Sequence, residues 1–223
     1  MDRILPLMLL MLFSVSCVEK RSVGPANEPG ISVADTSISS PKQDLSSFDS
    51  SYTLFSDTSY KLRFQVFNLD DFGQNSEPDY MNAVLTFTYK KDGKAALIFL
   101  DSLHCNSPRV EFRDLNNDRI KDVLAFYYSG GRANPTSHLY LVDTTSRRLK
   151  YVRGFEKLPN PELDTSNNII TSVALHGGFG GTYSFFRINS KGKLVSLGHG
   201  FEDDLNDSLK YDGAIRQILR TRR

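Results

Sequence analysis

Apolar and polar residues alternate strictly along Tyr60-Lys61-Leu62-Arg63-Phe64-Gln65-Val66. A period of two confines such a segment to a strand with one buried and one wet face. Two further apolar runs, Val84–Tyr89 and Ala95–Leu100, flank Lys91-Asp92-Gly93-Lys94, and Asp-Gly between strand-like runs is a strong hairpin signal. The same criteria predict strands at Val110–Arg113, Asp122–Tyr128, His138–Val142, Leu149–Arg153, Ile169–Leu175, Tyr183–Asn189 and Leu194–Gly198. Short strands at this spacing specify an all-β domain over residues 60–223, an antiparallel β-barrel or β-sandwich. A short C-terminal helix is expected at Ala214–Arg220, with Ile215, Ile218 and Leu219 on one side. No internal repeat is evident.

Composition narrows the function classes. The 223 residues carry 27 Lys+Arg against 26 Asp+Glu, a formal charge of +1, which gives no general electrostatic drive toward nucleic acid. Two cysteines and no Cys-x-x-Cys or Cys/His cluster exclude both a disulfide scaffold and a structural zinc site.

The N-terminus supplies an address. Ile4–Phe13 is an almost unbroken apolar run behind Arg3, followed by Ser14-Val15-Ser16-Cys17. It is too short to span a bilayer and reads as a secretory signal over residues 1–16. Its end resembles a bacterial lipobox, with Ser14 where that pattern prefers Leu, which implies acylation of Cys17 and a membrane anchor. Residues 17–59, rich in Ser with Pro25, Pro29 and Pro41, bury too little surface to order themselves and are expected to form a flexible tether. Only Glu19, Lys20 and Arg21 stand beside the cysteine, a mixed-charge group that favours the periplasmic face over the cell surface.

One acidic loop carries the clearest chemistry. In Asp114-Leu115-Asn116-Asn117-Asp118-Arg119-Ile120-Lys121-Asp122, side-chain oxygens fall at loop positions 1, 3, 5 and 9, and the Ile120 carbonyl would supply position 7. That spacing can wrap a hard cation, so Asp114, Asn116, Asp118, Ile120 and Asp122 are candidate Ca2+ ligands. Arg119 stands where calcium loops place Gly, and position 12 is Ala125 rather than Glu, so this is no EF-hand. The alternative is a turn that holds itself by Asx side-chain to backbone hydrogen bonds.

The run from Val110 to Asp118, continuing through Asp122-Val123-Leu124 to Gly130-Gly131 and Asn134, resembles FG-GAP/VCBS-type calcium loops. With Tyr140 and the Asp143 turn it is more particularly similar to bacterial lipoproteins related to the periplasmic inhibitors of invertebrate-type lysozyme. The likeness covers roughly residues 99–201. It implies a small calcium-binding β domain with a lysozyme-type hydrolase as a possible partner. In those relatives a Ser-Gly-x-Tyr loop enters the lysozyme cleft. The corresponding stretch here, Gly178-Phe179-Gly180-Gly181-Thr182-Tyr183, keeps the Gly and Tyr but has Gly180 in place of Ser. By itself the glycine-rich segment could form a protruding hairpin with Phe179 at its tip, a candidate partner-binding loop.

Other candidates are weaker. His104, His138, His176 and His199 lie apart without ligand spacing, and each is read as a strand or surface residue. Ser102 and Ser129 join a histidine and an aspartate only on paper, without a Gly-x-Ser-x-Gly elbow. Glu202-Asp203-Asp204 with Asp207 is read as a solvated approach to the helix. The expectation is therefore a non-enzymatic, lipid-anchored, calcium-binding module of the cell envelope. A metal-dependent hydrolase of envelope polymers and a structural envelope lipoprotein are the alternatives.

Overall fold

The alternating segment is the second strand of an antiparallel meander formed by β1 (Ser47–Tyr52), β2 (Tyr60–Phe67), β3 (Ala83–Lys91) and β4 (Lys94–Leu103). Tyr60, Leu62, Phe64 and Val66 point inward, while Lys61, Arg63 and Phe67 face solvent. The turn between β3 and β4 places Asp92 and Gly93 at φ 50° and 77°, the left-handed pair that a tight hairpin requires. The computed structural model describes residues 47–67, 81–130, 133–177, 180–203 and 208–221, all inside a unit spanning Gln43–Arg223. The signal sequence, Cys17 and the tether as far as residue 46 lie outside the described residues.

The boundary expected at residue 60 moves. Ser47–Tyr52 pairs along its whole length with β2, Ser47 opposite Phe67 and Tyr52 opposite Leu62. Phe48, Tyr52, Leu54 and Phe55 pack onto the buried core. Serines on the outer face disguised this strand as tether, whereas its inner face carries aromatic rings.

Two more meanders follow. β5 (Val110–Arg113), β6 (Asp122–Gly130), β7 (Asn134–Asp143) and β8 (Arg148–Tyr151) form the second sheet. β9 (Glu162–Asp164), β10 (Ile169–Leu175), β11 (Gly181–Ile188) and β12 (Leu194–Ser196) form the third. β13 (Phe201–Asp203) also pairs with β11, and α1 (Ser208–Arg220) closes the chain. The same four-stranded up-and-down unit thus occurs three times without a sequence repeat. None of these sheets closes on itself, so the fold is sandwich-like rather than a barrel.

Burial explains the stacking. Val123, Ala125, Tyr140 and Val142 face the first sheet, in one core with Leu62, Phe64, Leu85 and Phe87. The alternate residues Leu124, Leu139 and Leu141 face the other way, in a second core with Phe155, Ile170 and Ile188. The middle sheet is therefore covered on both sides, which is why Val123–Phe126 reads as a continuous apolar run. The far face of the third sheet, through Ile169 and Phe185, meets Ala214, Ile215 and Ile218 of α1. Each such fully buried side chain contributes on the order of 1.5–3 kcal/mol.

Polar clamps join the layers. The Asn134 amide donates to the Leu175 carbonyl at 2.9 Å and accepts from the Leu175 N–H at 2.7 Å, tying β7 to β10. The Asn82 side chain makes the same two-way bond to the backbone of Cys105, both contacts at 2.8 Å. Cys105 is a free, fully buried thiol whose pKa burial raises to about 11.

Candidate functional site

The acidic loop joins β5 to β6 and is organised from its last residue. Asp122 has no exposed surface, and its two carboxylate oxygens each accept a backbone N–H at 3.1 Å, from Leu115 and from Val142. It pins the loop's start to the third strand of its sheet. Burial, with Asp118 and Asp114 nearby, raises its pKa from 3.8 to about 7 against the opposing pull of the two N–H donors.

The rest of the loop turns around Asp114. Its Oδ1 accepts the N–H of Asn116 at 3.2 Å and of Asn117 at 2.7 Å, and its Oδ2 accepts that of Arg119 at 2.8 Å. Asn116 Oδ1 accepts the Asp118 N–H at 3.2 Å, and Asp118 Oδ1 accepts the Ile120 N–H at 2.8 Å. Asn116 Nδ2 donates to Asp118 Oδ2 at 2.7 Å. Arg119 sits at φ 69°, the left-handed conformation that a glycine would adopt with less strain.

Asp114, Asn116, Asp118, Ile120 and Asp122 are thus brought into one turn. Their oxygen-only donor set suits a hard cation, and a carboxylate oxygen that accepts one N–H keeps a second lone pair. Among the described residues no three His, Cys, Asp or Glu side chains form a metal-holding group.

A groove of about 460 Å³ opens beside this loop. Asn116 and Asp118 form one wall, Thr145 and Arg148 of the β7–β8 hairpin another, and Lys150 and Ser190 the third. Asp143 shapes the hairpin by accepting the N–H groups of Thr145 and Ser146, each at 2.9 Å, and the Ser146 hydroxyl at 2.7 Å. The Ser146 hydroxyl bond, followed by those backbone donors, holds the Asp143 carboxyl below its ordinary pKa. Lys150 Nζ donates to the Lys191 carbonyl. Gly192, at φ 64°, leaves the space a β-carbon would take from the Lys150 stem, 3.0 Å away. The groove therefore offers both signs of charge together with hydroxyls. No histidine lines it, and Ser146 is engaged with Asp143.

The glycine-rich segment joins β10 to β11, where the His176 N–H donates to the Gly180 carbonyl at 2.8 Å. Gly178 and Phe179 lie outside the described residues. Gly181, Thr182 and Tyr183 already belong to β11, opposite Asp203, Glu202 and Phe201 of β13. The half-buried Tyr183 ring stacks on Phe201, centroids 4.8 Å apart and planes at 11°, so it is committed to packing near α1. Gly180 is tight, since a β-carbon there would meet the Asp203 carbonyl at 3.2 Å. Thr182 Oγ1 lies 2.7 Å from His176 Nε2.

Sequence spacing missed one association. His104 and His138 are far apart in the chain, yet both rings contact Tyr127, at centroid distances of 5.8 and 4.8 Å. The His138–Ala125 pairing across β6 and β7 brings this about, a sheet register that no local motif encodes. Asp203, from the acidic approach to the helix, accepts from Lys210 Nζ at 3.0 Å. No helix among the described residues is long and apolar enough to cross a membrane.

No protein-family model matches the chain, and no curated protein matches it.

Proposed function

We propose that the chain is a non-catalytic, lipid-anchored binding module of the bacterial cell envelope, and that the groove beside the acidic loop is its partner-binding surface. The groove itself carries this reading, because it brings mixed charges and hydroxyls together beside the acidic loop. The signal-like N-terminus with Cys17 supports the anchored, periplasm-facing address. A lysozyme-type hydrolase is the first partner to test. Because Tyr183 is stacked on Phe201, its contact would fall on Asp118, Arg148 and Lys150 rather than on the glycine-rich segment.

Calcium is part of the same proposal. Arg119 already follows the left-handed path that a calcium loop needs at that position. Asp114, Asn116 and Asp118, with the Ile120 carbonyl, would hold the ion, and Asp122 would brace them from beneath. Bound, the ion would screen the clustered carboxylates and stiffen one wall of the groove.

The test is lysis of cell-wall substrate by several lysozyme classes, with and without a molar excess of the chain. Inhibition of one class, relieved by the double variant Arg148→Ala/Lys150→Ala, is the expected outcome. Unchanged lysis by every class removes the hydrolase as partner, and hydrolysis of envelope polymers by the chain alone removes the non-catalytic reading.

A further inference from the structure

A second cavity, of about 410 Å³, lies further along the middle sheet and is lined by residues the acidic-loop site does not use. One wall is a run of rings in which Tyr127 meets His138 at 4.8 Å, His138 meets Tyr151 at 5.9 Å, and His104 stands edge-on to Tyr127 at 5.8 Å. Two carboxylates complete it. Asp101 Oδ2 accepts the hydroxyl of the fully buried Tyr140 at 2.9 Å. Glu156 Oε2 accepts the Tyr151 hydroxyl and the Gly154 N–H, both at 2.8 Å. Neither carboxylate forms an ion pair with the described residues.

These bonds fix which atoms remain to meet a ligand. Each carboxylate has one oxygen held by a tyrosine hydroxyl and a second, Asp101 Oδ1 or Glu156 Oε1, that takes no hydrogen bond from the described residues. His138 Nδ1 lies 3.4 Å from the Tyr151 hydroxyl, and burial lowers the pKa of its ring. Arg153 and Ser102, on the same lining, add donors.

The site therefore combines two fixed carboxylate acceptors, a guanidinium, a hydroxyl and aromatic rings. A phosphate would be repelled by the two carboxylates, and a simple ammonium would leave the Arg153 and Ser102 donors unused. A neutral ring that bears several hydroxyls on its edge and C–H groups on its face satisfies every element. We infer that this cavity binds a sugar, with Asp101 and Glu156 accepting its hydroxyl protons, Arg153 donating to its oxygens, and Tyr127 and Tyr151 covering its apolar face. The volume is within the range of small-ligand pockets and suits one or two sugar rings.

Saturation-transfer NMR on the full chain tests this with cellobiose and N,N′-diacetylchitobiose as probes, and with choline and methyl phosphate as controls. Transfer to the ring C–H protons of at least one disaccharide and none to the methyl protons of methyl phosphate is expected. Glu156→Gln and Arg153→Gln should each weaken that binding about tenfold while the β-sheet circular dichroism signal stays unchanged. Arg153 is exposed, so its replacement leaves the fold intact. Three results would overturn the assignment: no transfer to either disaccharide, transfer to choline alone, or binding that persists within twofold in both variants.

Discussion

Replacing Asp122 by Asn should produce a loss of stability that shrinks, not grows, as pH rises. In the folded chain the carboxyl titrates near pH 7, against 3.8 for the ordinary group. Between about pH 4 and 7 the folded chain thus keeps a proton that the unfolded chain gives up. Stability falls through that window, by roughly 2–3 kcal/mol between pH 5 and pH 8. At pH 5 the comparison is between two neutral groups. Asn keeps one oxygen for one backbone N–H but turns an NH2 toward the other, at a cost of about 1–3 kcal/mol for the donor left unsatisfied. At pH 8 the wild type also carries a buried charge that Asn lacks, so the two chains should come within about 1 kcal/mol of each other, or cross. Urea unfolding in EGTA at both pH values measures this, followed by tyrosine fluorescence because the chain has no Trp. A cost that is equal at the two pH values, or larger at pH 8, would refute the assignment of Asp122 as a buried, proton-holding clip.

Three other outcomes follow from the same geometry. Arg119→Gly removes a β-carbon from φ 69° and should stabilise the chain by up to about 1 kcal/mol in urea unfolding; a loss would mean that the Arg119 side chain contributes more than its backbone strain costs. Asn82→Ala strands the buried N–H and carbonyl of Cys105 and should cost about 2–5 kcal/mol by the same assay, so a change below 1 kcal/mol would discount the clamp. Cys105, buried and with a pKa near 11, should react with a thiol reagent at neutral pH only as fast as the chain unfolds. Rapid labelling under native conditions would contradict that.

The strands most legible from sequence were those with a wet face or a turn signal. Tyr60–Val66 alternates because only one side of β2 is buried, and Asp92-Gly93 marks the β3–β4 hairpin by chemistry that few other residues supply. The layered architecture was not legible, because stacking is set by which face of the middle sheet each residue of Val123–Phe126 occupies, and a run buried on both faces has no period. β1 was hidden by its serines. β9 and β13, at three residues each, are too short for any pattern to build. For the acidic loop, spacing identified the turn and the position that demands left-handed backbone. It could not show that Asp122 would be sealed beneath the loop, since that depends on the Val142 N–H reaching across from β7. The ring-lined cavity was illegible for the same reason, His104 and His138 being joined only by sheet register.

Calcium titration of the melting temperature bears most directly on the acidic loop's proposed role as a calcium-stiffened wall of a binding groove. An ion held by the folded loop, at a free concentration about 100 times its dissociation constant, should stabilise the chain by ~2.7 kcal/mol, which for a domain of this size is an upward shift of roughly 5–10 °C. The shift should reverse with EGTA, be lost in Asp114→Ala and Asp118→Ala, and be absent with Mg2+. A melting curve that stays fixed from EGTA to millimolar Ca2+ would contradict the proposal and leave the loop as a turn held by its own hydrogen bonds.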